Sequence, residues 1–211
     1  MDARDLKADL QGYLQNSRDA VTWKLSESSE YDVRRPLTPT GTNLLGLVKH
    51  LTGCEIGYFR YVFGRPIPEP PHWLTDEAEP NVDMWATADE SREEIVGHYV
   101  RACAHSNATI DDLDLDAVGR VASWPEGRRT VTLHRVLVHM LAETSRHAGH
   151  ADVVRVLIDG AAGLRTDEHN LPSENPTWWA AHRDRVERAA REAAGGKPSS
   201  PLGSDSEKTW R

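Results

Sequence analysis

Leu6, Leu10, Tyr13 or Leu14, Val21 and Leu25 recur every three or four positions, the spacing of one apolar face of a helix from about Ala3 to Leu25. A polar stretch, SESSEYDVRRPLTPTGT, ends it, and Pro36 and Pro39 mark that stretch as a connection because proline is a poor helix-interior residue. Thr42 offers an N-cap to a second predicted helix, NLLGLVKHLTGCEIGYFRYVF, which ends near Gly64. Residues 64–86 contain five prolines, and so long a loop in a compact domain tends to cover something. Its Trp73 and Trp85 are placed to cap the bundle or line a pocket. Thr87 and Glu90 read as a capping box opening a third helix, ADESREEIVGHYVRACAHSN. An acidic connector, TIDDLDLDAVGRVASWPEGRR, leads to a long helix that begins near Thr132.

No run alternates with a period of two, so the spacing predicts an all-α chain, an antiparallel four-helix bundle over residues 1–165. Asn175-Pro176 opens a short fifth helix, TWWAAHRDRVERAAREAA, in an extension spanning 166–194. Its Trp178, Trp179, Val186 and Ala190 are expected to dock on the bundle. Residues 195–211 have the composition of a disordered tail.

The long helix holds the chemistry. Taking His139 as origin, Glu143 falls at about 40°, His147 at about 80° and His150 at about 20° on a helix advancing about 100° per residue. Val136, Met140, Val154, Leu157 and Ile158 share that arc, whereas Arg155, Ala148 and Ser145 lie outside it. Titratable groups thus occupy the stripe expected to face the core, and a buried carboxylate needs a partner.

Composition narrows the setting. The 211 residues are 38 % hydrophobic and 27 % charged, with no apolar run near the roughly 18 residues of a membrane span. The formal net charge of −8 argues against nucleic acid and against anionic membrane surfaces. A charged start, MDARDLKADLQGYL, without an apolar leader predicts a cytoplasmic protein. Cys54 and Cys103 are too few for a disulfide framework and fit a reducing compartment.

Glu143 and His147 stand four apart, so both side chains reach one point. A divalent metal there needs a ligand from a facing helix, and His50 is the candidate. It shares an inward arc with Asn43, Leu47, Cys54, Gly57 and Tyr61. Two imidazoles and a carboxylate leave a coordination position open, as in catalytic rather than structural zinc sites. The opposing reading makes His50 a hydrogen-bonded core residue and the Glu143/His147 pair an ordinary one on a solvated face. His139 and His150, on the same arc, are candidates to orient a ligand. Cys54 is either beside the metal, a reactive thiol or a small core residue. Asn43 and Tyr61 either line the pocket or pack. Arg128 and Arg129 either bind a substrate carboxylate or sit in a solvated loop. His98, His105, His72, His169 and His182 read as loop or surface residues.

The stretches WKL (23–25), RRPLTPTGTNLLGLVKHLTGCEIGYF (34–59) and SWPEGRRTVTLHRVLVHMLAETSRHAGHAD (123–152), with the Trp-rich fifth helix, resemble the DinB-like superfamily. Within it they are similar to proteins related to mycothiol-dependent maleylpyruvate isomerase. The resemblance implies an up-down-down-up four-helix bundle with a divalent metal, zinc before nickel, held at one end of the bundle. Its ligands, carried onto this chain, are His50, Glu143 and His147. Many members have histidine where this chain has Glu143, while the isomerase branch has glutamate, and His150 stands where many carry glutamine. A site of net charge about +1 favours an anionic fourth ligand such as a thiolate.

The implied activity is a thiol S-transferase or isomerase in which a metal-bound thiolate, mycothiol in that branch, attacks a small electrophile. His150 would orient a ligand or relay a proton, and Asn43, Cys54, Tyr61, His139 and Arg128 would contact substrate. A metal-dependent hydrolase using bound water and a non-catalytic ligand-binding bundle are the alternatives. The partner expected is a small molecule, with a homodimer implied by the resemblance.

Overall fold

The computed structural model describes residues 3–67, 69–75, 78–165, 168–169 and 171–195. Helix α1 spans Ala3–Trp23 and a short α2 spans Glu30–Arg34. Helix α3 spans Leu44–Glu55 and runs on into a π-helical turn, Ile56–Tyr61. Helix α4 covers Arg92–Asp112, α5 covers Leu133–Asp159 and α6 covers Pro176–Ala193. The fold is mostly helical. Strands β1 (Val118–Arg120) and β2 (Thr130–Thr132) form a small antiparallel sheet with Gly119 opposite Val131. The period-two search missed them because three residues are too few to show alternation.

Caps set the helix ends. Asn43, not Thr42, caps α3, its side-chain oxygen accepting from the Gly46 N–H at 2.8 Å. Helix α4 starts one turn later than predicted, because the capping box is Ser91 with Glu94. Glu90 does accept from the Thr87 N–H at 2.9 Å, but it also pairs with Lys49 and so belongs to the preceding turn. Thr132 caps α5, and Gly160 ends it in the left-handed conformation (φ 84°) that glycine adopts without strain.

Helix α1 lies along α5 and α3 along α4, with α3 also against α5. Two apolar clusters form the core of residues up to 170. One gathers Val21, Leu25, Leu45, Leu51, Ile95, Tyr99 and Val154; the other gathers Leu14, Phe59, Ile110, Leu133, Leu137 and Met140. Helices α1 and α5 pass from the second cluster to the first, and α3 and α4 pass from the first to the second. Where each crosses over, the buried residues are polar: Arg18, Glu55, Ser106, Thr144 and His147. Arg18 donates to both oxygens of Glu55 at 2.8 and 2.7 Å, and to Asn107 at 2.8 Å.

Three positions on α1 and α5 depart from the helical-stripe expectation. Arg155 was expected outside the inner face but is buried, donating at 2.7 Å to the carbonyls of Lys24 and Ser26. Leu157, expected inward, is exposed. At this level α5 meets the polar end of α1, whose free carbonyls need a donor rather than a methyl group. Leu6, also expected inward, is exposed.

Residues 171–195 belong to a second compact unit, built on α6. Pro176 occupies its first turn, Asn175 caps it, and Trp178 stacks on His182 with ring centroids 5.1 Å apart. The predicted disordered tail lies almost entirely outside the described residues. Among the described residues, no helix is long and apolar enough to cross a membrane.

Candidate metal centre

The carboxylate of Glu143 reaches His147 directly, with Oε1 3.1 Å from Nε2, as a four-residue spacing on α5 allows. The same oxygen lies 3.7 Å from Nε2 of His50 on α3. The His50 and His147 rings meet edge to face at 4.9 Å. Glu143 thus meets both nominated histidines, one on its own helix and one on α3. They stand midway along α3 and α5 rather than at an end of the bundle, beside the polar crossover layer that already interrupts the apolar core.

Each of these two separations suits a pair of donors on one ion. Nitrogen and oxygen donors about 2.0–2.1 Å from a tetrahedral metal lie about 3.3 Å from each other, between the 3.1 and 3.7 Å found here. Cys54 stands with His50 and Glu143: its Sγ is 3.5 Å from His50 Nε2, and one ligand atom each from these three residues lie within 4.8 Å of one another, a group that does not include His147.

The second nitrogen of His50 has its own partner. Nδ1 is 2.7 Å from Oδ2 of Asp83, which leaves Nε2 facing Glu143. Asp83 sits in a 3-10 turn, Val82–Met84, entered through Asn81 in the left-handed conformation (φ 68°), which asparagine tolerates better than most residues. Helix α3 grips the segment that follows. Asn43 Nδ2 donates to the Met84 carbonyl at 3.1 Å, and Lys49 Nζ donates to the Trp85 carbonyl at 3.0 Å. Gly46 lets this backbone sit against the helix, since a Cβ there would lie 1.8 Å from the Met84 oxygen. The proline-rich loop thus does cover the site, and it supplies a carboxylate that sequence spacing did not reveal.

The charge states follow from these contacts. The hydrogen bond to Asp83, then that to Cys54, hold the His50 pKa up at about 10 against the effect of burial. Burial, then the neighbouring His50 charge, lowers that of His147. Burial alone would raise Glu143, but His147 and His50 hold its carboxyl below the usual range. A group of protons and imidazoles compensating one carboxylate is the arrangement a dication replaces.

The other nominated residues divide. His150 is exposed, its Nδ1 3.4 Å from Nδ1 of His147. His139 lies between Tyr58 and Trp124, with ring centroids 4.5 and 5.3 Å away. Asn43 is buried, and its amide is engaged by Gly46, Gly41 and Met84. Arg128 is exposed in a 3-10 turn, and Tyr61 is exposed rather than inward.

Tyr61 turns away because of the π turn. An i→i+5 ladder carries about 4.4 residues per turn, so each residue advances about 80° instead of about 100°. Over Ile56–Tyr61 the lag swings Tyr61 off the His50 arc, and it is Tyr58 that stands beside His139. Burial raises the Tyr58 pKa, with contributions from the Cys54 and Glu143 charges that mark its nearness to the centre. Trp124 reaches the same place from the connector between the strands. Gly119 in β1 permits this, as a Cβ there would be 2.6 Å from Val62.

The family model described as mycothiol-S-transferase matches residues 9–160, which include His50, Cys54, Glu143, His147, Asp83 and the aromatic group. No curated protein matches the chain.

Proposed function

The chain belongs to the mycothiol-S-transferase family, and from that premise we propose that it is a metal-dependent thiol S-transferase or isomerase acting on a small electrophile. The observation that carries the reading is the meeting of His50 Nε2, Glu143 Oε1 and His147 Nε2 from two helices. A divalent ion held by these three, zinc before nickel, would lower the pKa of a bound sulfhydryl so that a thiolate nucleophile exists at neutral pH.

The protein's own groups do the rest. Asp83 keeps the His50 ring turned with Nε2 toward the carboxylate, as a carboxylate partner does for metal-ligating histidines. His150, exposed and against the far nitrogen of His147, is the group placed to carry a proton between the site and water. Tyr58, His139 and Trp124 form an aromatic wall against which a flat or apolar electrophile rests. Arg128 would receive a substrate carboxylate. The opposed runs of α1 and α5 against α3 and α4 support an up-down-down-up four-helix bundle as the scaffold. We place the enzyme in the cytoplasm as a homodimer.

Elemental analysis of protein purified without a histidine tag tests the centre. About one zinc or nickel per chain is expected, lost in His50→Ala and in His147→Ala. Consumption of an electrophile should need both the metal and an added thiol. Substoichiometric metal would defeat the proposal, and turnover of activated esters without thiol would assign a hydrolase instead.

A further inference from the structure

We propose that Cys54 is a protein donor to this centre and stands where the sulfur of the thiol cosubstrate binds; the proposal rests on the metal reading above. His50 and Cys54 are one helical turn apart on α3, which stacks their side chains. The His50 Nε2 to Cys54 Sγ distance is 3.5 Å. Nitrogen at about 2.1 Å and sulfur at about 2.3 Å from one tetrahedral ion are separated by about 3.6 Å. Glu143 is close as well, with a carboxylate oxygen within 4.8 Å of the sulfur.

The two cysteines of the chain contrast sharply. Cys103 is buried among Val21, Leu45 and Tyr99, and burial pushes its thiol up to about 12. Cys54 is only half-buried, with its sulfur toward an imidazole nitrogen and a carboxylate. Packing alone does not ask for that surrounding, and metal ligation does. The π turn begins at Ile56, so the α-helical register that pairs His50 with Cys54 is intact up to that point.

With Cys54 beside His50 and Glu143, a protein sulfur already stands where an incoming sulfur would meet the ion. With an ion bound, an incoming monothiol would exchange with Cys54: the entering sulfur would take the place of the Cys54 sulfur and its proton would pass to Cys54, with nothing oxidised or reduced. Cys54 acts as a built-in rival of the cosubstrate.

Absorption of the full-length protein loaded with cobalt(II), without added thiol, tests this. A near-ultraviolet sulfur-to-metal charge-transfer band is expected in the parent and in Cys103→Ala, and it should vanish in Cys54→Ser. Cobalt should also slow iodoacetamide alkylation of Cys54, read by peptide mass. In Cys54→Ala, 2-mercaptoethanol should bind the cobalt centre roughly tenfold or more tighter, because the position is no longer shared. Cobalt uptake without the band in the parent, or a band that survives Cys54→Ser, would overturn the role of Cys54 alone. Failure to take up cobalt at all would overturn the metal reading, and this proposal with it.

Discussion

Arg18 and Glu55 show how a single side chain can be decisive and still be hard to see. Both are essentially inaccessible to solvent, 1 % and 0 % at the side chain, and bound through two parallel hydrogen bonds. Removing one partner leaves a buried charge, so Arg18→Met should destabilise the protein by about 3–5 kcal/mol in urea melts. Adding Glu55→Leu should recover most of that loss, because the pair is then replaced by apolar groups. Arg18 lies on the inner arc of α1, four residues after Leu14 and three before Val21. Apolar spacing passes over it because it counts only greasy residues. Glu143 and His147 were legible for the opposite reason: polar groups on an otherwise apolar stripe of α5 stand out. Asp83 was not, since a carboxylate in a loop has no periodicity to break.

At the scale of elements, α3 organises the centre twice over. Its inner face presents His50 and Cys54, and the same helix holds the 83–86 segment through Asn43, Gly46 and Lys49. Gly46→Ala should therefore weaken metal binding without touching a donor. The new methyl group would push the Met84 carbonyl outward, and Asp83 would move with it. A loss within the 10- to 100-fold range of altered supporting partners is expected in a chelator-competition titration. Affinity equal to the parent would mean that the segment does not orient His50. The long helices were readable from spacing, with ends off by up to five residues, whereas the short α2 lay in the stretch read as a connection. The π turn was not, because a six-residue change of pitch leaves an apolar pattern almost unaltered, and it exchanged Tyr61 for Tyr58 at the site. The β1–β2 hairpin escaped for its brevity, although it delivers Trp124.

For the whole molecule, the metal would tie α3 to α5 across the crossover between two apolar clusters. An ion that binds only the folded chain adds stability as its free concentration exceeds Kd, by about 2.7 kcal/mol at a hundredfold excess. For a chain of this size that raises Tm by about 5–10 °C. Differential scanning calorimetry with stepped zinc should show the rise, and excess chelator should abolish it; a Tm indifferent to both would argue against a centre shared by the two helices. Which helices face each other was legible only through resemblance, since spacing within one chain says which side is apolar and not what it meets.

The donors on α3 and α5 come from distant parts of the chain, His50 and Glu143 being 93 positions apart. In a zinc finger the ligands are neighbours, and the ion can order a short peptide around itself. Here the intervening chain must first close, at an entropic expense of about 4 kcal/mol for a loop that long. An ion held by these donors would therefore be expected to join a scaffold already folded, and its identity would depend on which ion is free at that moment.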